Sequence, residues 1–149
     1  MTFNLEKFLP YRLRILYDTI THSFSPIYIK QYKLSPSEWR VLASIAGSGS
    51  VTAKQLGKHS RMHKTKVSRA VFELSKRNLI VKVPNKNDLR ETFLEVSELG
   101  GEMYRKLSIR AIEFDNKMLS CLTQNEQLAL DEIIEKLQKH AETNFYSHD

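Results

Sequence analysis

Apolar residues recur every three or four positions along most of this 149-residue chain, a spacing typical of amphipathic α-helices. The first such segment covers about residues 5–32, and Pro26 within it predicts a kink or break near Ser25. Two more segments, around residues 99–118 and 130–141, close the chain. We therefore expect long helices at both ends.

Capping boxes predict where the shorter helices begin. In such a box, a hydroxyl side chain and a Glu or Gln side chain three residues later each bond the other's backbone. The pairs are Ser35 with Glu38, Thr52 with Gln55, and Thr123 with Glu126. The helix after the first pair is expected to bury Trp39, Leu42, Ala43 and Ala46. The helix after the second pair is expected to stop near residues 57–60.

The clearest amphipathic pattern belongs to a helix from about His63 to Arg77. Its apolar stripe consists of Val67, Ala70, Val71 and Leu74. Asn78 follows, where a residue that tolerates a left-handed conformation is needed. Two β-type runs, 79–83 and 92–96, enclose a polar, turn-rich tip and predict a hairpin. The fold class is therefore mainly α with a small β-hairpin wing: a winged helix-turn-helix over about residues 34–97.

The positive charge is concentrated in the same region. Between Lys54 and Arg90 there are eleven basic and two acidic residues, a local net charge of +9 in a chain whose total is +6. Such a concentration is typical of a surface that binds a polyanion. DNA and an anionic membrane surface are the two candidates, and a merely solvated basic face is the third interpretation.

The helix from His63 to Arg77 has the side chains needed to read a DNA major groove, which accepts one α-helix. Its opposite face combines short donors with long cations. The candidate DNA-binding residues on it are His63, Lys64, Thr65, Lys66, Ser68 and Arg69. The hairpin tip adds Asp88 and Arg90, because an arginine is favoured in a narrow minor groove. We expect Asp88 to hold the Arg90 guanidinium in place, with an exposed turn ion pair as the alternative.

Four runs in this region resemble the MarR family of bacterial transcription regulators, the multiple-antibiotic-resistance regulators. They are KTKVSRAVFEL at 64–74, NLI at 78–80, DLR at 88–90 and VSELG at 96–100. The resemblance extends over nearly the whole chain. It implies an obligate dimer, a pseudo-palindromic operator in double-stranded DNA, and release from that operator by a small phenolic or similar aromatic effector. It also places the family's Asp-x-Arg wing motif on Asp88 and Arg90.

The chain departs from the family pattern at several positions. Val96 and Ser97 replace the usual leucine and threonine before the long helix, a mild change that keeps Ser97 as the predicted cap of that helix. Asn78 stands where the family usually has glycine, Val83 where it has an arginine before the wing proline, and Leu89 where it has the central arginine of the wing motif. The last two departures leave fewer cations in the wing.

The end helices carry more apolar residues than one small winged domain can bury. The surplus consists of Phe3, Leu5, Phe8, Leu9, Leu119, Leu122, Leu128, Ile133, Leu137 and Phe145. We expect a single domain over 1–149 in which helices at about 3–32 and 98–145 pair with those of a second subunit. Packing of the same helices within one subunit is the alternative.

Other candidate sites are weaker. An aromatic effector could lie between the winged domain and the dimerisation helices, lined by Tyr28, Tyr32, Trp39 and Leu107. Cys121 is interpreted as a buried structural thiol rather than a redox switch. We find no metal-ligand pattern, cofactor motif or catalytic constellation, so no enzyme is predicted. The chain shows neither a signal-like N-terminus nor a membrane-spanning run of about 20 apolar residues, which predicts a cytoplasmic protein.

The sequence therefore predicts a sequence-specific, double-stranded-DNA-binding transcription regulator, with repression as the expected sign. An architectural, non-specific nucleic-acid-binding protein shares the basic surface and stays open as the alternative. So does a winged-helix protein-interaction module, which would lack the salt dependence of phosphate contacts.

Overall fold

The computed structural model describes residues 2–88 and 90–145, and the predicted elements follow one another in the expected order. The helices are α1 (Leu9–Pro26), α2 (Pro36–Ser48), α3 (Ala53–Ser60), α4 (Lys64–Lys76), α5 (Glu98–Leu119) and α6 (Gln124–Asn144). The strands are β1 (Val51–Thr52), β2 (Ile80–Pro84) and β3 (Thr92–Val96). The described residues divide into two compact units, one ending at Ala111 and one beginning at Ile112. The assignment of 1–149 to one domain stays a prediction.

Pro26 changes the helix type instead of ending the helical path. α1 stops at Pro26, and a π-helical turn over Ile27–Gln31 follows directly. A proline has no N–H to donate to the carbonyl four residues earlier, here that of His22. The Ser25 hydroxyl contacts that carbonyl at 3.5 Å and partly replaces the missing donor. The predicted discontinuity is therefore present as a change of helical pitch.

All three predicted capping boxes are confirmed. At the start of α2, the Glu38 backbone N–H donates to Ser35 Oγ at 3.2 Å, and the Ser35 N–H donates to the Glu38 carboxylate at 3.1 Å. The boxes at α3 and α6 have the same reciprocal bonds. In the last one, hydrogen bonds from the Thr123 backbone and side chain lower the pKa of Glu126.

The inward face of α2 differs from the prediction. Leu42 is buried as expected, but its buried companions are Val41 and Ile45. Trp39, Ala43 and Ala46 are only partly buried. The predicted buried face is displaced by one residue along the helix from the observed one. The displacement arises because apolar residues of this helix occur on both faces. The core that α2 joins includes Leu34, Leu56, Leu74, Leu79 and Leu107.

The sheet contains a strand that the sequence did not predict. The order is β1-β3-β2, with antiparallel pairing throughout. β1 has two residues and pairs Val51 with Leu94, which is too short a segment to show any alternation. The β2–β3 hairpin confirms the predicted wing, with Val83 opposite Phe93.

The end of α4 is shaped by Asn78. Its φ of +56° is left-handed, as predicted. The Leu79 N–H donates to the Leu74 carbonyl at 2.9 Å, and the Asn78 N–H to the Ser75 carbonyl at 3.0 Å. These two bonds form a Schellman motif, in which asparagine here takes the place usual for glycine. The wing therefore leaves α4 at a defined angle.

The start of α5 packs against that same corner. Ser97 caps the helix, as predicted, by accepting the Gly100 N–H at 2.9 Å, and its hydroxyl donates to the Asn78 carbonyl at 2.6 Å. A Cβ at Gly100 would overlap the Leu79 backbone carbonyl. Gly100 is thus needed for the close approach of α5 to the start of the wing.

The terminal helices bury none of their own residues within the described chain. Both α1 and α6 lack a fully buried side chain. Apolar side chains that stay exposed include Phe3, Leu5, Phe8, Leu9, Leu128, Ile133, Leu137 and Phe145. Among the residues described, no helix is both long and apolar enough to cross a membrane.

Candidate nucleic-acid interface

α4 separates its apolar and polar residues onto two faces. The predicted stripe of Val67, Ala70, Val71 and Leu74 is buried. The predicted DNA-binding residues of this helix, Lys64, Thr65, Lys66, Ser68 and Arg69, are all exposed. The helix is thereby held on the domain by one face and presents hydroxyl groups and cations on the other.

His63 has a structural task at the first turn of this helix. It is the N-cap residue, and its Nδ1 accepts the backbone N–H of Thr65 at 3.3 Å. The turn before it is formed by Arg61, whose φ of +50° is left-handed, while Met62 packs into the core. The imidazole is exposed at the helix start, where base edges are usually contacted.

Two further lysines extend the cationic surface beside α4. Lys54 and Lys58 of α3 line a groove together with Lys64 of α4. The sequence reasoning counted both within the basic segment but did not assign them to the site. The sequence did contain a signal for them, because side chains four residues apart lie on one face of a helix.

On its other flank, α4 borders the start of α2. Lys66 and Arg69 line a groove there with Ser37, Glu38 and Glu73. The two carboxylates on this side limit the positive potential, so the groove beside α3 is the more cationic of the two.

The wing tip has a different internal geometry from the one expected. Asp88 Oδ1 accepts the backbone N–H of Arg90 at 2.9 Å, so the carboxylate shapes the turn where it was expected to hold the guanidinium. An aspartate side chain commonly accepts the backbone N–H of the residue two positions later, which is the hydrogen bond of an Asx turn. Asp88 and Arg90 are both exposed. Leu89, the predicted departure from the wing motif, lies outside the described residues.

The wing and α4 share one surface. Ser68, Phe72 and Ser75 of α4 line a groove together with Lys82 of β2 and Thr92 of β3. Lys82 of the wing therefore lies beside Ser68 and Phe72, two of the exposed residues of α4. That the remaining cations of α4 and the wing tip face one DNA duplex stays a prediction.

The MarR family profile matches residues 32–91, the stretch that contains the helix-turn-helix and most of the wing. The predicted resemblance to the MarR family is confirmed for this segment.

One curated regulator and two solved structures illustrate what this chain is similar to. FarR, an HTH-type transcriptional regulator of Neisseria gonorrhoeae, is 20% identical over 122 residues, 82% of this chain and 83% of FarR. A mutant MarR of E. coli in complex with operator DNA superposes with a TM-score of 0.77 at 17% identity, over 91% of this chain and 99% of that one. BpsR of Bordetella bronchiseptica, whose DNA binding is regulated by 6-hydroxynicotinic acid, gives a TM-score of 0.82 at 17% identity, over 93% and 98% of the two chains. The winged helix-turn-helix prediction is confirmed.

The predicted effector residues of this chain belong largely to the core. Tyr28 and Leu107 are buried, and Tyr32 and Trp39 pack against the core. The rings of Tyr28 and Trp39 stack with centroids 6.3 Å apart, and burial raises the pKa of Tyr28. Phe24 and Tyr104, which the sequence reasoning did not include, also contact Trp39. Effector binding by this cluster stays a prediction.

Cys121 is exposed, which corrects the expectation of a buried thiol. It lies in the short turn after α5 rather than on a packed helical face, and its Sγ contacts the Met118 carbonyl at 3.5 Å. Within residues 2–88 and 90–145, no group of three or more His, Cys, Asp or Glu side chains is placed to hold a metal ion.

Proposed function

We propose that this protein is a homodimeric transcription regulator of the MarR family that binds a two-fold-symmetric operator in double-stranded DNA and represses by occupying it. One observation carries the proposal. α4 is locked into the core by Val67, Ala70, Val71 and Leu74 while its hydroxyl and cationic side chains are exposed. A rigid amphipathic helix with that outer face is what major-groove reading requires.

The predicted DNA-binding residues within α4 have separate expected roles in this proposal. Lys64 and Lys66 neutralise phosphates, and Arg69 forks onto a guanine edge. Thr65 and Ser68 are short enough to let the backbone approach the bases. Lys54, Lys58 and Lys82 extend the phosphate contacts on the two sides of α4.

The wing is proposed to contact the adjacent minor groove. Arg90 is exposed at the tip, and the Asp88 bond to the Arg90 amide sets the turn from which it projects. A narrow minor groove has an enhanced negative potential, which favours an inserted arginine.

The dimer is proposed from the terminal helices. Their exposed apolar side chains, among them Leu9 of α1 and Leu137 of α6, are covered when two subunits pair. Two-fold symmetry then places the two α4 helices about one turn of DNA, 34–36 Å, apart. Because the proposed target is double-stranded operator DNA, we propose that the protein acts in the cytoplasm.

A small aromatic effector is proposed to control operator binding. The support is the aromatic cluster around Trp39 and the likeness to BpsR, whose own DNA binding responds to 6-hydroxynicotinic acid. Binding near Tyr28 and Tyr32 would act on the segment that the end of α4 contacts through Arg77.

The test is selection of bound duplexes from random DNA with the full-length protein. The selected sequence and a scrambled copy are then titrated over a salt series by fluorescence anisotropy. We expect a palindromic selected sequence bound at least about 10³-fold more tightly than the scrambled one. Log affinity should fall linearly with log salt concentration. Equal affinity for both duplexes would favour the architectural alternative, and binding independent of salt would exclude both DNA-binding functions.

A further inference from the structure

Phe72 is the one apolar side chain of α4 that is exposed, and every residue of this helix is described. Its exposed fraction is 62%, although the neighbouring Val71 is buried in the core. An exposed phenylalanine does not gain the free energy that burial of its apolar surface would give. Single exposed apolar side chains are common on protein surfaces, so a contact at Phe72 is inferred from its place on the helix and not from its exposure alone.

The helical period places Phe72 inside the proposed reading face. It follows Ser68 by four residues and Arg69 by three, and Lys76 follows it by four. Residues with these spacings are neighbours on the surface of a helix. The phenylalanine is thus on the face opposite the buried stripe, one turn beyond the residues proposed to contact bases.

The surroundings of Phe72 identify the chemistry of its partner. The groove it lines contains the polar residues Ser68, Ser75, Lys82 and Thr92 and the apolar residues Ala53, Val71 and Leu94. The hydroxyl groups and the lysine suit a polyanion, and the ring with its apolar neighbours suits a small apolar group on that polyanion. The partner is therefore an anionic molecule that presents a small apolar group in its groove.

We propose that Phe72 is a specificity-determining residue that packs against the 5-methyl group of a thymine in the operator major groove. The inference rests on the proposed DNA-binding function. Among the major-groove edges of the four bases, thymine alone carries a methyl group, and phenylalanine is one of the side chains suited to contact it. The operator should accordingly have one required thymine in each half-site, beside the base that Arg69 contacts.

The experiment replaces each thymine of the selected operator, one symmetric pair at a time, by deoxyuridine. This removes only the methyl group and keeps the hydrogen-bonding edges. At one symmetric pair, the wild-type protein should bind about fourfold more weakly for each methyl group removed. This is the loss expected when the burial of one such group is lost. Phe72→Ala should bind the unmodified operator more weakly and show no further loss at that pair.

Two variants separate this contact from a general loss of affinity or fold. Phe72→Leu keeps an apolar side chain and should retain most of the deoxyuridine penalty. Lys76→Ala, on the same face, should bind all duplexes more weakly while keeping the full penalty. A wild-type protein that ignores every deoxyuridine, or a Phe72→Ala variant with an undiminished penalty, would overturn the inference and leave the proposed function standing. If selection yields no preferred sequence, the proposed function and the inference both fail.

Discussion

Neighbouring residues of α4 differ in environment, because some side chains are buried in the core and others are exposed to solvent. Val67 is buried, whereas its neighbours Lys66 and Ser68 are exposed. Substitutions at the two kinds of position should therefore have separable effects. Changes on the buried face alter the stability of the domain, and changes on the exposed face alter its partners.

At Arg69, we predict a loss that depends on the DNA sequence. Arg69→Ala should weaken operator binding by about 1–3 kcal/mol if the guanidinium contacts a guanine, with a smaller effect on random DNA. Anisotropy titrations on both duplexes measure the difference, and Arg105→Ala, an exposed arginine of α5, is the matched control. Equal losses on the two duplexes would reduce Arg69 to a phosphate contact.

Gly100 and Gly101 form a matched pair for a test of packing. The methyl group of Gly100→Ala would overlap the Leu79 carbonyl, and nothing lies within 4 Å of the corresponding Gly101 position. We expect Gly100→Ala to lower the free energy of unfolding by about 1–3 kcal/mol through overpacking. Gly101→Ala should be neutral or stabilising by up to about 1 kcal/mol, since alanine is the better helix former. Urea denaturation compares them, and equal stability of the two variants would contradict this account.

At the scale of elements, the side chain of Arg77, the residue after α4, ties this helix to the segment before α2. The Arg77 guanidinium donates to the carbonyl groups of Tyr32 and Lys33, each at 2.8 Å. The Glu38 carboxylate is 3.9 Å from the same guanidinium. Lys33 has a left-handed backbone, with a φ of +54°, which turns the chain toward α2. The orientation of α4 therefore depends on contacts more than forty residues away in sequence.

Removing that link should destabilise the domain. Arg77→Ala deletes two hydrogen bonds from a charged donor, and we expect the free energy of unfolding to fall by about 1.5–3 kcal/mol. Lys76→Ala, an exposed neighbour in the same turn, is the control and should change stability by less than about 0.5 kcal/mol. Chemical denaturation provides the measurement, and the prediction fails if the two variants unfold at the same urea concentration.

The wing is expected to contribute affinity more than base specificity. Arg90→Ala should weaken binding to selected and scrambled duplexes alike and reduce the magnitude of the salt slope by about 1, because one cation is lost from the minor groove, where it lies close to the phosphates of both strands. Salt-dependent anisotropy measures both quantities. Asp88→Ala, which removes the turn bond to the Arg90 amide, should give a partial version of the same loss. Unchanged affinity in Arg90→Ala would remove the wing from the proposed interface.

At the scale of the whole molecule, the exposed apolar side chains of α1 and α6 predict a homodimer. In α6, Ile133, Ile134 and Leu137 recur with helical spacing and are each about half exposed. Lys139 is on the opposite side of the same helix by that spacing. One face of α6 is thus suited to a partner subunit and the other to solvent.

Sedimentation velocity can test this assignment at micromolar concentration. The wild-type protein should sediment with twice the 17.4 kDa subunit mass. Leu137→Glu should shift the population toward monomer, because it places a charge in the proposed apolar contact. Lys139→Glu changes the charge by more and should leave the dimer intact. A monomeric wild-type protein at that concentration would refute the proposed dimer.

Features that depend on neighbours within one helical turn were predictable from the sequence. The three capping boxes, the buried stripe of α4 and the left-handed Asn78 each require only residues at fixed short spacings. The concentration of cations between Lys54 and Arg90 likewise needs no tertiary information. These local patterns were sufficient for the winged helix-turn-helix and for the candidate residues of α4.

Features that depend on distant pairing were decided only in the folded chain. β1 exists because Val51 meets Leu94, and the Arg77 guanidinium finds two carbonyl acceptors that no spacing rule connects with it. The inward face of α2 and the exposure of Cys121 were likewise settled only in the folded chain. The physical reason is that a short-range pattern specifies which face of an element is apolar, whereas its phase and its distant partners follow from how all the elements fill one core together.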